Sequence, residues 1–402
     1  MTAQERRSVG SLALLYCFRM LGLFMVLPLL ALYAADLPGA TPTLIGLAMG
    51  MYGLANALLQ IPFGWLSDKV GRRPVIIAGL LLFALGSVVA GMADSVIGII
   101  VGRTLQGAGA ISSTLMALVA DLTREEQRTK AMAVVGMSIG LSFAVGLVLG
   151  PAVATFGGLS AVFWFTALLA GSGIVILTLL VPQAPPVTGT HHTATGVNLE
   201  VMRRGLGDMA LVRLNFGVFV LHFILVAFFL IVPVIIENAL DIERQRHWMV
   251  YLPVLVLSLA GMVPLMILAE RGGRLRQMFL LAIVLVFLAM ATLEYAVAVP
   301  LLYGGLWLFF VGFNYLEATL PSLLSKTVSA GSKGTAMGVF STCQFLGAFA
   351  GGAGGGWLLD HFGEGALSSV CLALAIVWWL VVLRAPRLAG VNSVTPNPLP
   401  GI

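Results

Sequence analysis

Gly64-Trp65-Leu66-Ser67-Asp68-Lys69-Val70-Gly71-Arg72-Arg73-Pro74 is a charged, glycine-bearing turn set between two long apolar runs. Asp68, Lys69, Arg72 and Arg73 are costly to place in hydrocarbon, so this turn is expected at a membrane surface. Gly71 permits a tight reversal. Pro74 suits the first turn of a following helix, where its missing N–H leaves no bond unmade. Membrane topology alone would account for basic residues here, but not for the spacing of glycine and aspartate. A gating role is therefore expected for Asp68, Gly71, Arg72 and Arg73, with Asp121 at the same surface. Arg72 is expected to bridge Asp68 and Asp121, because one guanidinium can bond two carboxylates. Asp68 is also expected to point at the first turn of the eleventh helix, near Ser332 to Thr335, whose free N–H groups carry partial positive charge.

The rest of the chain agrees with a membrane setting. It is 59% hydrophobic and 10% charged over 402 residues, with a mean hydropathy of +1.02. Such a composition exceeds what a soluble core needs and indicates a polytopic membrane protein. The net charge of +5 comes from basic residues strung along loops, not clustered, which argues against a nucleic-acid binder. Cys17, Cys343 and Cys371 lie in apolar runs without metal spacing and read as small buried residues. Neither a metal site nor a cofactor is expected. Arg6 and Arg7 precede a long apolar run that reads as a retained first span rather than a cleaved signal.

Apolar periodicity gives twelve spans, at 9–35, 43–66, 75–93, 95–120, 128–155, 160–181, 213–236, 247–269, 276–294, 297–324, 334–358 and 365–383. Most meet the ~20 residues needed to cross a bilayer. With both termini in the cytoplasm, 18 of the 22 Lys and Arg residues fall in loops on that side. Arg244 and Arg246 fall on the far side, and Arg19 and Arg103 within spans.

The polar break at 182–212 divides the chain. Its first part, with Pro182, Pro185 and Pro186, reads as linker, and Leu199–Arg204 as a short amphipathic helix. His191 and His192 there read as solvated. The halves repeat: Leu66–Arg72 aligns with Leu268–Arg274, the Ala-Met pair at 131–132 with that at 336–337, and Gly150 with Gly355. The fold class expected is an all-α membrane protein, twelve transmembrane helices in two pseudo-symmetric six-helix bundles. The bundles are 1–181 and 213–384, and 385–402 reads as a disordered tail.

Few residues at depth could carry chemistry. Arg19 lies ~15 Å into the first span, where it is either one half of a structural ion pair or a cavity-facing functional group. Arg103 and Gln106 are one turn apart on the fourth span, beside Gly107 and Gly109; packing and function both remain open. Glu317 is the one acid well inside a span, ~13 Å from the cytoplasmic end by helix rise. Asn314 is one turn earlier. A carboxyl held away from water takes up protons more readily, which suits a proton carrier; a neutral acid bonded between helices is the alternative. His222, Asn56 and Gln60 are each ordinary interhelical bonders and gain interest only as lining of one cavity. Arg19, Asn56, Gln60, Arg103, Gln106, His222, Asn314 and Glu317 are expected to border a proton and substrate cavity between the bundles. Gly146, Gly150 and Pro151 should allow close packing and a bend in the fifth span.

These stretches resemble known transporters. The Gly64–Pro74 pattern is similar to the signature turn between the second and third spans of the major facilitator superfamily. Arg103-Thr104-Leu105-Gln106-Gly107 resembles its fourth-span arginine motif, and Gly146 to Pro151 the fifth-span motif of its drug:proton antiporters. With Phe18–Pro28, Asp121–Glu125, Phe313–Ser322 and Gly334–Val339, the chain resembles the YajR-like branch over roughly 10–383. Relatives in that branch can carry a soluble ferredoxin-like domain after the last span; nothing resembles it here, and nothing is carried over from it. The resemblance implies a proton-driven exporter of the bacterial inner membrane and links Arg103 to proton coupling. The partners expected are a small, amphipathic substrate, protons and the bilayer, with the chain acting as a monomer. A nutrient symporter or facilitator on the same fold is the rival, and a non-transporting sensor or scaffold a third reading. No nucleophile–base pair lies at one depth, so an enzyme is not expected.

Overall fold

The computed structural model describes residues 1–182, 208–294, 298–328 and 333–385. Among them the helices form twelve spans. The first, Ala3–Tyr33, opens with a capping box: Thr2 Oγ1 accepts from the Glu5 N–H, and the Glu5 carboxylate from the Thr2 N–H. The second, Pro42–Val70, and third, Arg72–Gly91, are separated by Gly71 alone. Gly71 has φ 102°, a conformation that side-chain-bearing residues rarely adopt. The reversal therefore takes one residue, and Asp68 and Lys69 belong to the last helical turn.

The fourth span departs from the continuous helix that its apolar run predicts. It breaks into Val96–Ala108 and Ser112–Asp121. Gly107 and Gly109 bring neighbouring backbones very close: a Cβ at Gly107 would lie 2.2 Å from the Tyr52 carbonyl oxygen, and one at Gly109 2.3 Å from that of Gly79. The remaining spans are Glu125–Ala154, Gly158–Leu179, Met209–Leu240, Trp248–Glu270, Leu275–Glu294, Val299–Thr327, Lys333–Phe362 and Glu364–Leu383.

Eleven of the twelve are long and apolar enough to cross a membrane by length and composition; Lys333–Phe362, the eleventh span, is not among them. Its glycines and polar residues explain why. Gly347 and Gly351 lie against the seventh span, where a Cβ would sit 2.2 Å from the Phe219 oxygen and 2.3 Å from that of Phe223. Gly352 and Gly356 lie against the second, with 2.6 Å to the Gly46 oxygen and 2.4 Å to that of Pro42. A helix covered by protein on two sides is driven by close packing and needs less apolar surface than one facing lipid. Gly146 and Gly150 do the same for the fifth span against the first: a Cβ would lie 2.9 Å from Phe24 Cβ and 2.5 Å from the Met25 oxygen. Pro151 falls just before that helix ends, at Ala154.

Spans one to six and seven to twelve make two bundles. They meet along the second and eleventh, fifth and eighth, and first and seventh spans, the second–eleventh contact being the most extensive in the described molecule. One face of the molecule carries the N-terminus, the Gly71 turn and Arg271 to Arg276; we call it the basic face. The second–eleventh contact lies towards the other face, at Gly46, Gly50 and Gly53. Towards the basic face, Gly136 and Gly140 of the fifth span and Gly334 and Gly338 of the eleventh have no heavy atom within 4 Å of an added Cβ.

Arg244, between the seventh and eighth spans, ties the bundles together on the far face. It donates to Asp36 Oδ2 at 2.6 Å, to the Leu32 carbonyl at 3.1 Å and to Glu237 Oε1 at 3.2 Å, and lies over the Tyr33 ring at 5.1 Å. Thr43 adds a bond to Asp360 Oδ2 at 2.6 Å. Asp36 is largely exposed, so each contact is worth only ~0.2–1 kcal/mol. Arg244→Ala should raise the thiol-labelling rate of a cysteine placed at Leu37 several-fold while the fold persists. An unchanged rate would mean that Arg244 carries none of the closure.

Of the linker expected at 182–212, residues 183–207 lie outside those described, including Leu199–Arg204. Asp208 is seen capping the seventh span through the Ala210 N–H at 2.8 Å. The tail from residue 386 also lies outside.

Candidate functional site

Depth along a helix follows from sequence, but the direction a side chain faces is set by packing. The residues expected to border one cavity fall into two groups, one inside each bundle.

The first group is sealed in the N-terminal bundle. Arg19 is 1% exposed. It donates to Ser112 Oγ at 3.2 Å and to the Gly109 carbonyl at 3.0 Å, with Phe83 under its guanidinium at 5.7 Å. The break in the fourth span turns that carbonyl towards it. Arg103, also buried, donates to the Ala48 carbonyl at 3.3 Å and to Gln106 Oε1 at 2.9 Å, over the Tyr52 ring at 4.8 Å. Gln106 continues through its amide to Ser87 Oγ at 2.8 Å. Both cations are held by carbonyls, amide oxygen, hydroxyl and rings; neither has a carboxylate partner among the described residues. Asn56 and Gln60 are buried one turn and two turns beyond Tyr52. Neither polar atom of the Asn56 amide has a hydrogen-bond partner, nor do Gln60 Oε1 and Tyr52 Oη. Arg19, Asn56, Gln60, Arg103 and Gln106 are all buried.

The second group lies in the C-terminal bundle. His222 Nδ1 is 3.1 Å from the Val218 carbonyl, which can only accept, so Nδ1 carries the proton. His222 Nε2 is 3.6 Å from Glu317 Oε2. Gln344 Nε2 stands 2.8 Å from His222 Nε2 and 3.3 Å from Glu317 Oε1. The Glu317 side chain is 35% exposed and that of His222 10%. Glu317 thus keeps an exposed side and is less buried than His222. Asn314 faces the eighth span, donating to Ser258 Oγ at 3.2 Å, and is not in contact with Glu317 through a hydrogen bond. Phe313 packs on the His222 ring at 6.2 Å, and Phe143 of the fifth span packs on Phe313 at 5.4 Å. Gln344 was hidden from sequence reading by its glycine-rich surroundings; its one signal is that it is the only Gln or Asn in that span.

The surface turn forms a third cluster. Arg72 bonds Asp68 Oδ1, Asp121 Oδ2 at 3.2 Å and Ser67 Oγ at 2.6 Å. Arg73 donates to the Leu177 and Thr178 carbonyls at 2.8 and 3.2 Å, capping the sixth span. The expected contact of Asp68 with the eleventh helix falls partly on residues 329–332, outside those described. Because Arg72 joins the second, third and fourth spans, Arg72→Ala should lower thermal stability by ~1–2 kcal/mol, the sum of two partly screened ion pairs. A loss below a few tenths would leave the cluster without a structural share.

The model of the family described as Major Facilitator Superfamily matches residues 12–352. The chain is 44% identical to the inner membrane transport protein YajR of Escherichia coli, over 95% of this chain and 84% of that one. It is 29% identical to the multidrug resistance protein MdtH of Aeromonas hydrophila, over 92% of this chain and 94% of the other. Among solved structures, a bacterial homolog to the human lysosomal transporter Spinster, inward-facing and occupied, superimposes with a TM-score of 0.72 at 12% identity, covering 96% of this chain and 98% of its own.

Proposed function

This chain belongs to the major facilitator superfamily, and on that premise we propose that it is a proton-coupled transporter exporting small amphipathic molecules across the bacterial inner membrane. The observation that carries the proposal is the His222–Gln344–Glu317 cluster. It sets two proton acceptors 3.6 Å apart at mid-depth, the carboxyl being the more exposed of the two. A proton arriving there is shared by the pair, and the charge it leaves differs from the charge before it.

Alternating access supplies the rest. The bundles 1–181 and 213–384 rock about the far-face contact, with 182–212 as the connection. With the basic face in the cytoplasm, the closed far face and separated basic-face glycines correspond to an inward-facing state. Asp68, Arg72 and Asp121 then hold the N-terminal gate together while the route is open. Arg19 and Arg103 keep the N-terminal bundle positive, so that an anionic group or the Glu317 carboxylate is attracted across the interface. The Escherichia coli and Aeromonas relatives, an inner membrane transport protein and a multidrug resistance protein, support location and export.

The test is reconstitution into proteoliposomes with a panel of amphipathic compounds. A pH gradient should drive at least one compound against its own gradient, and an ionophore that collapses the gradient should stop it. Flux that runs only downhill and ignores pH would instead identify a facilitator.

A further inference from the structure

Gln344 uses one amide nitrogen to face two acceptors on two other helices, His222 on the seventh span and Glu317 on the tenth. For both N–H bonds of the amide to find a lone pair, His222 must be neutral with its proton on Nδ1, while Glu317 Oε1 can accept from either form of the carboxyl. Turning the amide over would put its oxygen against the carboxylate and leave His222 Nε2 without a donor. A proton delivered to His222 Nε2 changes this. Nε2–H then meets the Gln344 N–H groups donor to donor at 2.8 Å. The amide must turn over or withdraw.

Withdrawal moves the eleventh span. Gln344 is followed by Phe345, whose ring meets Tyr52 of the second span at 6.2 Å, and Tyr52 carries Arg103 over its face. Gly347 and Gly351 lock the same helix against Phe219 and Phe223 on the seventh span, three and one residues from His222. The sensing amide therefore sits on a helix that packs through glycines against the seventh span of its own bundle and against the second span of the other. Nearest in chain or contact are Cys343 beside it and Tyr52 under Arg103; the surrounding spans also carry Arg213 and Glu237 on the seventh, Tyr303, Tyr315 and Lys326 on the tenth, Asp360 and His361 on the eleventh, and Asp68 and Lys69 on the second. Neither His222 nor Glu317 makes another ion pair among the described residues.

We propose that Gln344 is a positioning residue that converts protonation of the His222–Glu317 pair into displacement of the eleventh span from the second. This rests on the proton-coupled reading above and adds the part that moves.

The test uses the full chain in detergent and in liposomes, in a background with Cys17, Cys343 and Cys371 replaced and a single cysteine at Ala353 in the second–eleventh contact. Its alkylation rate is followed from pH 5 to 9. The parent should show a sigmoidal change, and Glu317→Gln should show none. Gln344→Met, which fills the same space without polar atoms, should retain the fold and lose most of the amplitude. Gln344→Glu restores a proton-bearing group and should return the amplitude with its midpoint displaced upwards by about one pH unit, because a second carboxylate favours protonation. A parent-like profile in Gln344→Met overturns the role of Gln344 while leaving the proton site standing. A flat profile in the parent, or a retained one in Glu317→Gln, overturns both. If Gln344→Met does not fold, Gln344→Glu decides, and an unmoved midpoint refutes the proposal.

Discussion

Glu317→Gln should abolish pH-gradient-driven transport, a fall of at least a hundredfold, while substrate exchange at equal pH continues. The glutamine keeps the shape of the side chain and can still bond Gln344, but it has no proton to exchange. Glu317 lies 35% exposed beside a histidine that is itself nearly buried, so the carboxyl is the more accessible of the two to an arriving proton. Removing it severs the entry point. Folding should be spared, because a partly exposed carboxyl contributes little burial energy, and thermal unfolding checks this. Driven transport that survives in the glutamine variant would remove Glu317 from the coupling and leave His222 as the group to examine.

Gly352→Val should have the next largest effect, because nothing at that contact can yield. A Cβ at Gly352 would lie 2.6 Å from the Gly46 oxygen and 2.7 Å from the Gly50 nitrogen, all backbone. The two helices must separate to admit it. Overpacking of this kind costs ~1–3 kcal/mol. Paid only in the state where the far face is closed, that cost moves the population towards the state where it is open by about five- to a hundredfold. Transport should fall sharply, because the cycle needs both states, and a cysteine at Leu37 should become more reactive from the far face. Gly354→Val on the same helix, where an added Cβ meets nothing within 4 Å, should be near neutral. Equal effects of the two would contradict the packing argument.

Much of this architecture is legible without coordinates. The spans follow from apolar length, and the Gly71 turn from one charged stretch. Arg72 lies between Asp68 and Asp121, as the reach of a guanidinium from that turn suggests. Other features depend on contacts made at long range. Gly107 and Gly109 read as close packing; that they also break the fourth span depends on Gly79 and Tyr52 pressing from other helices. Arg19 and Arg103 have the depth expected, but rotation about the helix axis turns them inward to Gly109, Ser112 and Gln106 and away from Glu317. The eleventh span is legible as an apolar run at 334–358, but not that its modest hydropathy reflects cover by the second and seventh spans. Arg244 stands out in sequence only as an exception to the charge pattern; its partners Asp36 and Leu32 are more than two hundred residues away.

Distances between the bundles, read by paired spin labels on each face, test the central claim most directly. Labels at Val70 and Lys326 report the basic face, and labels at Ala93 and Glu364 the far face. Acidification should change the two distances in opposite directions, one closing as the other opens, and Glu317→Gln should hold both fixed across the pH range. Distances that ignore pH in the parent, or that still respond to it in Glu317→Gln, would contradict the account.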